Sequence, residues 1–90
     1  MGAVVQFKEA LEPRPKLVTV FYVRSYWRDR ERLREGKFEQ FASMESALRV
    51  GRQAAIKAAG VRVCRVRGNP GASYWEDPVQ IARWGDVPPL

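Results

Sequence analysis

The run KLVTVFYVRSYW, Lys16 to Trp27, constrains the fold more than any other part of the sequence. It is rich in β-branched and aromatic residues, which favour a β-strand. Successive side chains of a strand point to opposite faces of a sheet, and here apolar residues occupy both sets of positions. One face carries Leu17, Phe21, Val23 and Trp27, and the other carries Val18, Val20, Tyr22 and Tyr26. The run therefore predicts a central strand with something covering each face.

The segment MESALRVGRQAAIKAA, Met44 to Ala59, predicts a helix. Ser43 is a suitable N-cap, and Glu45 places a negative charge in the first turn, where it suits the helix dipole. We expect Gly60 to end the helix in a left-handed conformation. At 100° per residue, one face consists mostly of small residues and is centred near Gly51, which predicts close packing on a sheet. Its members are Met44, Ala47, Leu48, Gly51, Ala54, Ala55 and Ala58.

Three further segments read as strands or turns. GKFEQFAS predicts a second strand, VRVCRVR a third, and DPVQIARWG a short last strand. The apolar alternation of the third breaks at Val63 and Cys64, which predicts a bulge or a strong twist. GNPGAS predicts a type II turn at Pro70 and Gly71. The fold class is therefore α+β: a mainly antiparallel sheet of three to four strands, with one main helix on one face, in the order β-β-α-β-β.

The chain of 90 residues fits one domain. The two prolines in EPRPK restrict the backbone and remove hydrogen-bond donors, which disfavours a helix or strand there. We therefore expect residues 1–16 to be a flexible N-terminal arm. Residues 17–85 form the α+β domain and residues 86–90 a tail. With one cysteine, no signal peptide and no long apolar run, the sequence predicts a cytoplasmic protein that does not associate with membranes.

Positive charge is concentrated between Ser46 and Trp75, a segment without Asp or Glu. Its cations predict a surface that binds nucleic acid or another polyanion; the alternative is a solvated face without a partner. They are Arg49, Arg52, Lys57, Arg62, Arg65 and Arg67. The stretch RSYWRDRERLRE has five arginines but also three acidic residues, so its net charge is only +2. It predicts an exposed, mobile tip held by local ion pairs.

Aromatic residues of the first strand offer two interpretations. Tyr22, Tyr26 and Trp27 would stack on bases in a nucleic-acid-binding domain. In a protein-interaction or homodimerisation module, the first strand and the aromatics Tyr74, Trp75 and Trp84 would instead be buried against a partner. Ile56, an aliphatic residue on the polar side of the helix, indicates a contact surface in either case.

Catalytic and metal-binding patterns are missing from the sequence. It has no histidine, which removes the commonest general base and metal ligand. Cys64 lies among apolar residues, so we expect it to be a small side chain of the core. We therefore expect a non-enzymatic protein without a cofactor or metal. The remaining catalytic alternative is a small His-free ribonuclease of toxin type using Arg, Lys and Tyr, although those toxins generally place helices before the sheet.

The pattern F-x-S-x-x-x-A at Phe41, Ser43 and Ala47, followed by AAGVRVCRV, carries a resemblance. It is similar to the helix-then-strand half of small bacterial domains, including SPOR-type peptidoglycan-binding domains. A SPOR domain would add a second strand-helix-strand half and an export signal. The nearer likeness, over Leu17 to Arg67, is to uncharacterised bacterial strand-strand-helix-strand domains, which implies a fold and no activity.

Overall fold

The protein has the predicted α+β fold in the computed structural model, which describes residues 17–90. The predicted N-terminal arm lies outside the described residues. One helix interrupts a set of antiparallel strands, and a 3-10 turn, Pro70–Ala72, precedes a two-residue strand that the sequence did not predict. The elements are β1 (Val18–Asp29), β2 (Arg32–Phe41), α1 (Met44–Ala54), β3 (Gly60–Asn69), β4 (Tyr74–Trp75) and β5 (Val79–Gly85).

Strand β1 is central, as its sequence predicts. It pairs antiparallel with β2 on one side and with β3 on the other. Strand β3 in turn pairs with both β4 and β5. Helix α1 covers one face of this sheet, whereas no helix or strand among residues 17–90 covers the other. The cover expected on both faces of β1 is thus a helix on one face; Tyr26 on the other face is only 5% exposed, although no helix or strand of residues 17–90 lies over it.

Close packing at Gly51 joins α1 to the sheet. Gly51 is buried, and a Cβ added to it would lie 2.8 Å from both Trp84 Cζ3 and Val63 Cγ2. Ala47 is also fully buried, in a core with Val23 and Val63. The small face of the helix thus lets the backbone approach bulkier sheet residues, as predicted. Met44, expected on the same face, is instead half-exposed at the start of the helix.

The helix begins as predicted and ends earlier. The Ser43 hydroxyl accepts a hydrogen bond from the Ser46 N–H over 3.0 Å, which is the expected N-cap. The helix ends at Ala54, five residues before the predicted end. Gly60 is the first residue of β3 rather than a left-handed cap. Pairing with β1 already begins there, because the Ala59 N–H donates to the Tyr26 carbonyl over 2.9 Å.

Two irregularities interrupt the strand pairing. A register shift occurs near Val63 and Cys64, where a bulge was predicted, but only in the β3–β5 pairing; its extra residue is Ile81 of β5, and β3 pairs with β1 without a break. The β1–β2 register also shifts at Ser25, whose hydroxyl accepts from the Lys37 N–H over 2.8 Å. Bulges of this kind increase the local twist of a sheet.

The turn after β3 differs from the predicted type II turn. The Asn69 side chain accepts from the Gly71 N–H over 3.0 Å and starts a 3-10 turn. The left-handed residue is Ser73, with φ 52°, and not Gly71.

Across residues 17–90, no helix has the length and apolar character needed to cross a membrane.

Candidate functional site

The six cations of the acid-free segment lie on three different surfaces. Arg49, Arg52 and Lys57 are exposed on the outer side of α1 and the turn that follows it. Arg65 and Arg67 have the same parity on β3 as Val61 and Val63, which pack under the helix, so these arginines share that side of the sheet. Arg62 has the opposite parity and lies on the other side.

We call the side of the sheet that α1 leaves uncovered the open face. It is formed by alternate residues of the paired strands, which point away from the core valines. From β1 and β3 its members are Val18, Val20, Tyr22, Arg24, Tyr26, Gly60, Arg62, Cys64, Val66 and Gly68. The structure therefore brings together three residues predicted for binding, Tyr22, Tyr26 and Arg62.

Three arginines lie side by side across the open face. Arg24 pairs with Arg62 in the β1–β3 register, and Arg62 pairs with Arg83 in the β3–β5 register. Neighbouring strands are about 4.8 Å apart, so the Cα atoms of this arginine row span about 10 Å. Like charges directly opposite each other destabilise a sheet. The row is therefore a local electrostatic cost that an anion would relieve.

Arg62, in the middle of the row, is only 4% exposed. Its Nε donates to Gln80 Oε1 over 2.9 Å, and its Nη1 donates to the Tyr26 hydroxyl over 3.2 Å. Both partners are neutral, and Arg62 forms no ion pair with a carboxylate of residues 17–90. Burying a charge without an opposite charge is costly, and arginine stays protonated in proteins.

Aromatic rings flank the row. The Arg24 guanidinium carbon lies 4.6 Å from the centre of the Phe38 ring, and its Nη1 is 3.6 Å from Glu35 Oε2. The Phe38 ring is also 5.0 Å from the Tyr22 ring at an interplanar angle of 35°. Phe38 remains 42% exposed. Arg24, Phe38 and Tyr22 thus form one cationic and aromatic cluster that reaches solvent.

Tyr22 is held in its neutral form. Burial raises its pKa to about 12, assisted by a hydrogen bond with Cys64, while the positive charge of Arg62 acts in the lowering direction. Cys64 is fully buried, as its apolar neighbours in the sequence predict. A phenol with so high a pKa is a poor general base near neutral pH. Tyr22 can therefore donate a hydrogen bond or stack, but it is not prepared for proton abstraction.

Trp27 and Ile56 lie on the helix side of the sheet, away from Tyr22. With Lys37 and Lys57 they line a groove of about 430 Å³ between β1, β2 and the end of α1. Ile56 is 73% exposed. The structure thus separates the predicted stacking or interface residues into two groups, and it places Lys57 beside the second group.

Acids pair with three of the five arginines of the charged stretch: Arg24 and Arg34 pair with acids nearby in sequence, as predicted, whereas Arg28 pairs with a distant one. Arg34 lies 2.6 Å from Asp29, and Arg28 lies 2.8 Å from Asp86. The tip itself turns at Arg30, which has φ 60°. The fold also brings an acid to one predicted binding cation, because Arg67 Nε is 3.3 Å from Glu76 Oε1.

Sequence reasoning did not assign four open-face residues to the site. In the sequence, Arg24 belongs to the charged stretch, and Arg83 lies outside the acid-free segment. Phe38 indicates only a strand. Trp75, which was predicted as an interface residue of a protein module, stands beside Gly68 on the open face. No periodicity could have found the arginine row, because it depends on the register of three strands that are distant in sequence.

The fold and the site define a small α+β protein with one helix-covered face and one cationic, aromatic open face. Residues 17–90 contain no group of three or more acidic, Cys or His side chains that could hold a metal ion. Compared with known family models, curated proteins and solved structures, the chain matches none. The resemblance to small bacterial strand-strand-helix-strand domains therefore stays a prediction.

Proposed function

We propose that this protein is a non-catalytic binding domain that holds nucleic acid, or another polyanion, on its open face. The observation that carries the proposal is the arginine row, in which Arg62 and Arg83 have no carboxylate partner among residues 17–90. Guanidinium groups bind phosphate through short, charge-assisted hydrogen bonds. A phosphate held by Arg24 and Arg83 would place a negative charge beside buried Arg62.

Nucleic acid suits this face better than a simple anion does, because the row adjoins aromatic rings. Phe38 and Tyr22 lie in contact beside Arg24, and bases stack on aromatic side chains and on guanidinium planes. We propose a cytoplasmic location, since Cys64 is a free thiol and reducing compartments preserve thiols.

The test is a titration of a labelled oligonucleotide by fluorescence anisotropy at about 50 and about 200 mM salt. The double variant Arg24→Gln/Arg83→Gln removes the outer charges of the row and leaves buried Arg62 in place. We expect the largest loss of affinity from this variant. The slope of log K against log salt should fall by about 2, because about one unit is lost for each phosphate contact removed.

Two matched controls remove the same charge elsewhere. Arg49→Gln/Arg52→Gln changes the outer side of α1, and Arg30→Gln/Arg32→Gln changes the hairpin tip. A larger loss from the helix pair would place the site on α1, as the acid-free segment alone predicted. If the parent protein fails to bind even at low salt, the proposal is wrong, and sedimentation would then test the homodimer alternative.

A further inference from the structure

A second exposed aromatic residue lies on the open face, far from the arginine row. Trp75 pairs with Gly68, which pairs in turn with Val18 of β1. A Cβ added to Gly68 would lie 2.5 Å from Trp75 Cε3, so the absence of a side chain at Gly68 lets the indole lie against β3. Trp75 remains 45% exposed. One part of the ring is thus fixed by the sheet and another is open to solvent.

The surface between the row and Trp75 carries no charged side chain on β1 or β3. Val18 and Arg24 are six residues apart on β1, which is about 20 Å at about 3.4 Å per residue. The open-face positions between them are Val20 and Tyr22, opposite Val66 and Cys64. The open face is therefore a track with three arginines at one end and aromatic rings at both ends.

We infer that the ligand of the open face is a single-stranded nucleic acid that runs along β1 and β3 from the arginine row to Trp75. This inference rests on the proposed function. Phosphates contact the row at one end, and bases stack beside Tyr22 and Phe38 and on Trp75. A duplex keeps the faces of its bases inside the helix, so it cannot use these rings, whereas an unpaired strand can.

The length of the track sets the length of strand required. At the stacked spacing of about 3.4 Å per nucleotide, about six nucleotides cover about 20 Å, and fewer suffice if the strand is extended. Affinity should therefore rise with oligonucleotide length up to about six nucleotides. Beyond that length it should increase only through the number of overlapping binding positions.

The three tryptophans of the chain provide a direct test, because they lie on different surfaces. Trp75 is on the open face, Trp27 lines the helix-side groove, and Trp84 packs against Gly51 in the core. The protein is titrated with oligothymidylates of increasing length and with a duplex, and the quenching of its tryptophan fluorescence is measured. We expect quenching in the parent and in Trp27→Phe, and its loss in Trp75→Leu. Removing one stacking partner should weaken binding about 10-fold.

The outcomes separate this inference from the proposed function. Equal affinity for duplex and single strand, or unchanged quenching in Trp75→Leu, would overturn the single-strand track. The proposed function would still stand if Arg24→Gln/Arg83→Gln weakened binding to both ligands. Loss of quenching in Trp27→Phe alone would move the site to the groove and overturn both. A thermal melt of each variant tests whether the fold is intact. Trp75→Phe is a milder replacement than Trp75→Leu.

Discussion

The Arg62 guanidinium donates a hydrogen bond to the Tyr26 hydroxyl over 3.2 Å while both side chains are almost completely buried. Its other described partner is the Gln80 amide oxygen. A cation that is buried against neutral groups is stabilised by hydrogen bonds but not by an opposite charge. The folded protein therefore bears a desolvation cost at the position where we propose that it holds a phosphate.

Arg62→Met should separate stability from binding. Methionine fills a similar volume without a charge, and such replacements of buried ionic groups are often neutral or stabilising. We expect the free energy of unfolding to stay within about 1 kcal/mol of the parent or to rise, while affinity for an oligonucleotide falls. Urea denaturation and anisotropy titration measure the two effects. A loss of more than about 3 kcal/mol would show that the hydrogen bonds of Arg62 are structural.

Stability should fall as the pH rises from about 10 to about 12, because Tyr22 has a raised pKa in the folded state. In that window the unfolded chain has already released the phenolic proton and the folded chain still holds it, so rising pH favours unfolding. Tyr22→Phe should reduce this slope in denaturation experiments. Absorbance titration is an independent measure: the parent has three tyrosines, and the variant should lack the component that titrates near pH 12. An unchanged titration curve would contradict the assignment.

Gly51→Leu should destabilise the fold by about 1 to 3 kcal/mol through overpacking. The new side chain would meet Trp84 and Val63, which a Cβ alone already approaches to 2.8 Å. Gly51→Ala is the milder probe, because its gain of about 1 kcal/mol in helix propensity opposes the same contact. Thermal melts of both variants measure the difference. A neutral or stabilising Gly51→Leu would mean that α1 does not pack through this face.

Cys64 should react with a thiol reagent only when the protein opens. It is fully buried although it lies on the open face, so labelling requires the groups packed around its thiol to move away. We expect the labelling rate to follow the unfolding equilibrium as urea increases. Cys64→Ser gives the background rate. Rapid labelling under native conditions would show that the open face exposes Cys64 without global unfolding.

Much of the fold could be predicted because its signals are local. The capping residue Ser43, the small-residue face around Gly51 and the doubly apolar β1 each specify their own structure within a few residues. The helix end could not be predicted in this way. Apolar and small residues continue to Ala59, but the hydrogen bond from Ala59 to Tyr26 draws that segment into the sheet, and this contact is set by tertiary structure.

The candidate site was less predictable because it, too, depends on tertiary structure. Grouping cations by their neighbours in sequence placed Arg62 with Arg49, although the two lie on opposite sides of the sheet. Strand register instead joins Arg62 to Arg24 and Arg83. Alternation within one strand could have shown that Arg62 and Arg65 face opposite ways. Which residues stand beside Arg62 depends on pairing partners that one sequence does not reveal.

The central position of β1 has a consequence for how the chain folds. Its partner β2 follows after a two-residue turn, so the β1–β2 hairpin closes a very short loop. Its other partner, β3, is separated from β1 by 30 residues, and pairing of such distant segments is slow because the loop-closure entropy is lost first. The arginine row needs the β1–β3 and β3–β5 pairings, so the rapidly formed β1–β2 hairpin alone does not assemble it. An incompletely folded or newly synthesised chain therefore lacks the complete site, and the proposed ligand would select the finished sheet.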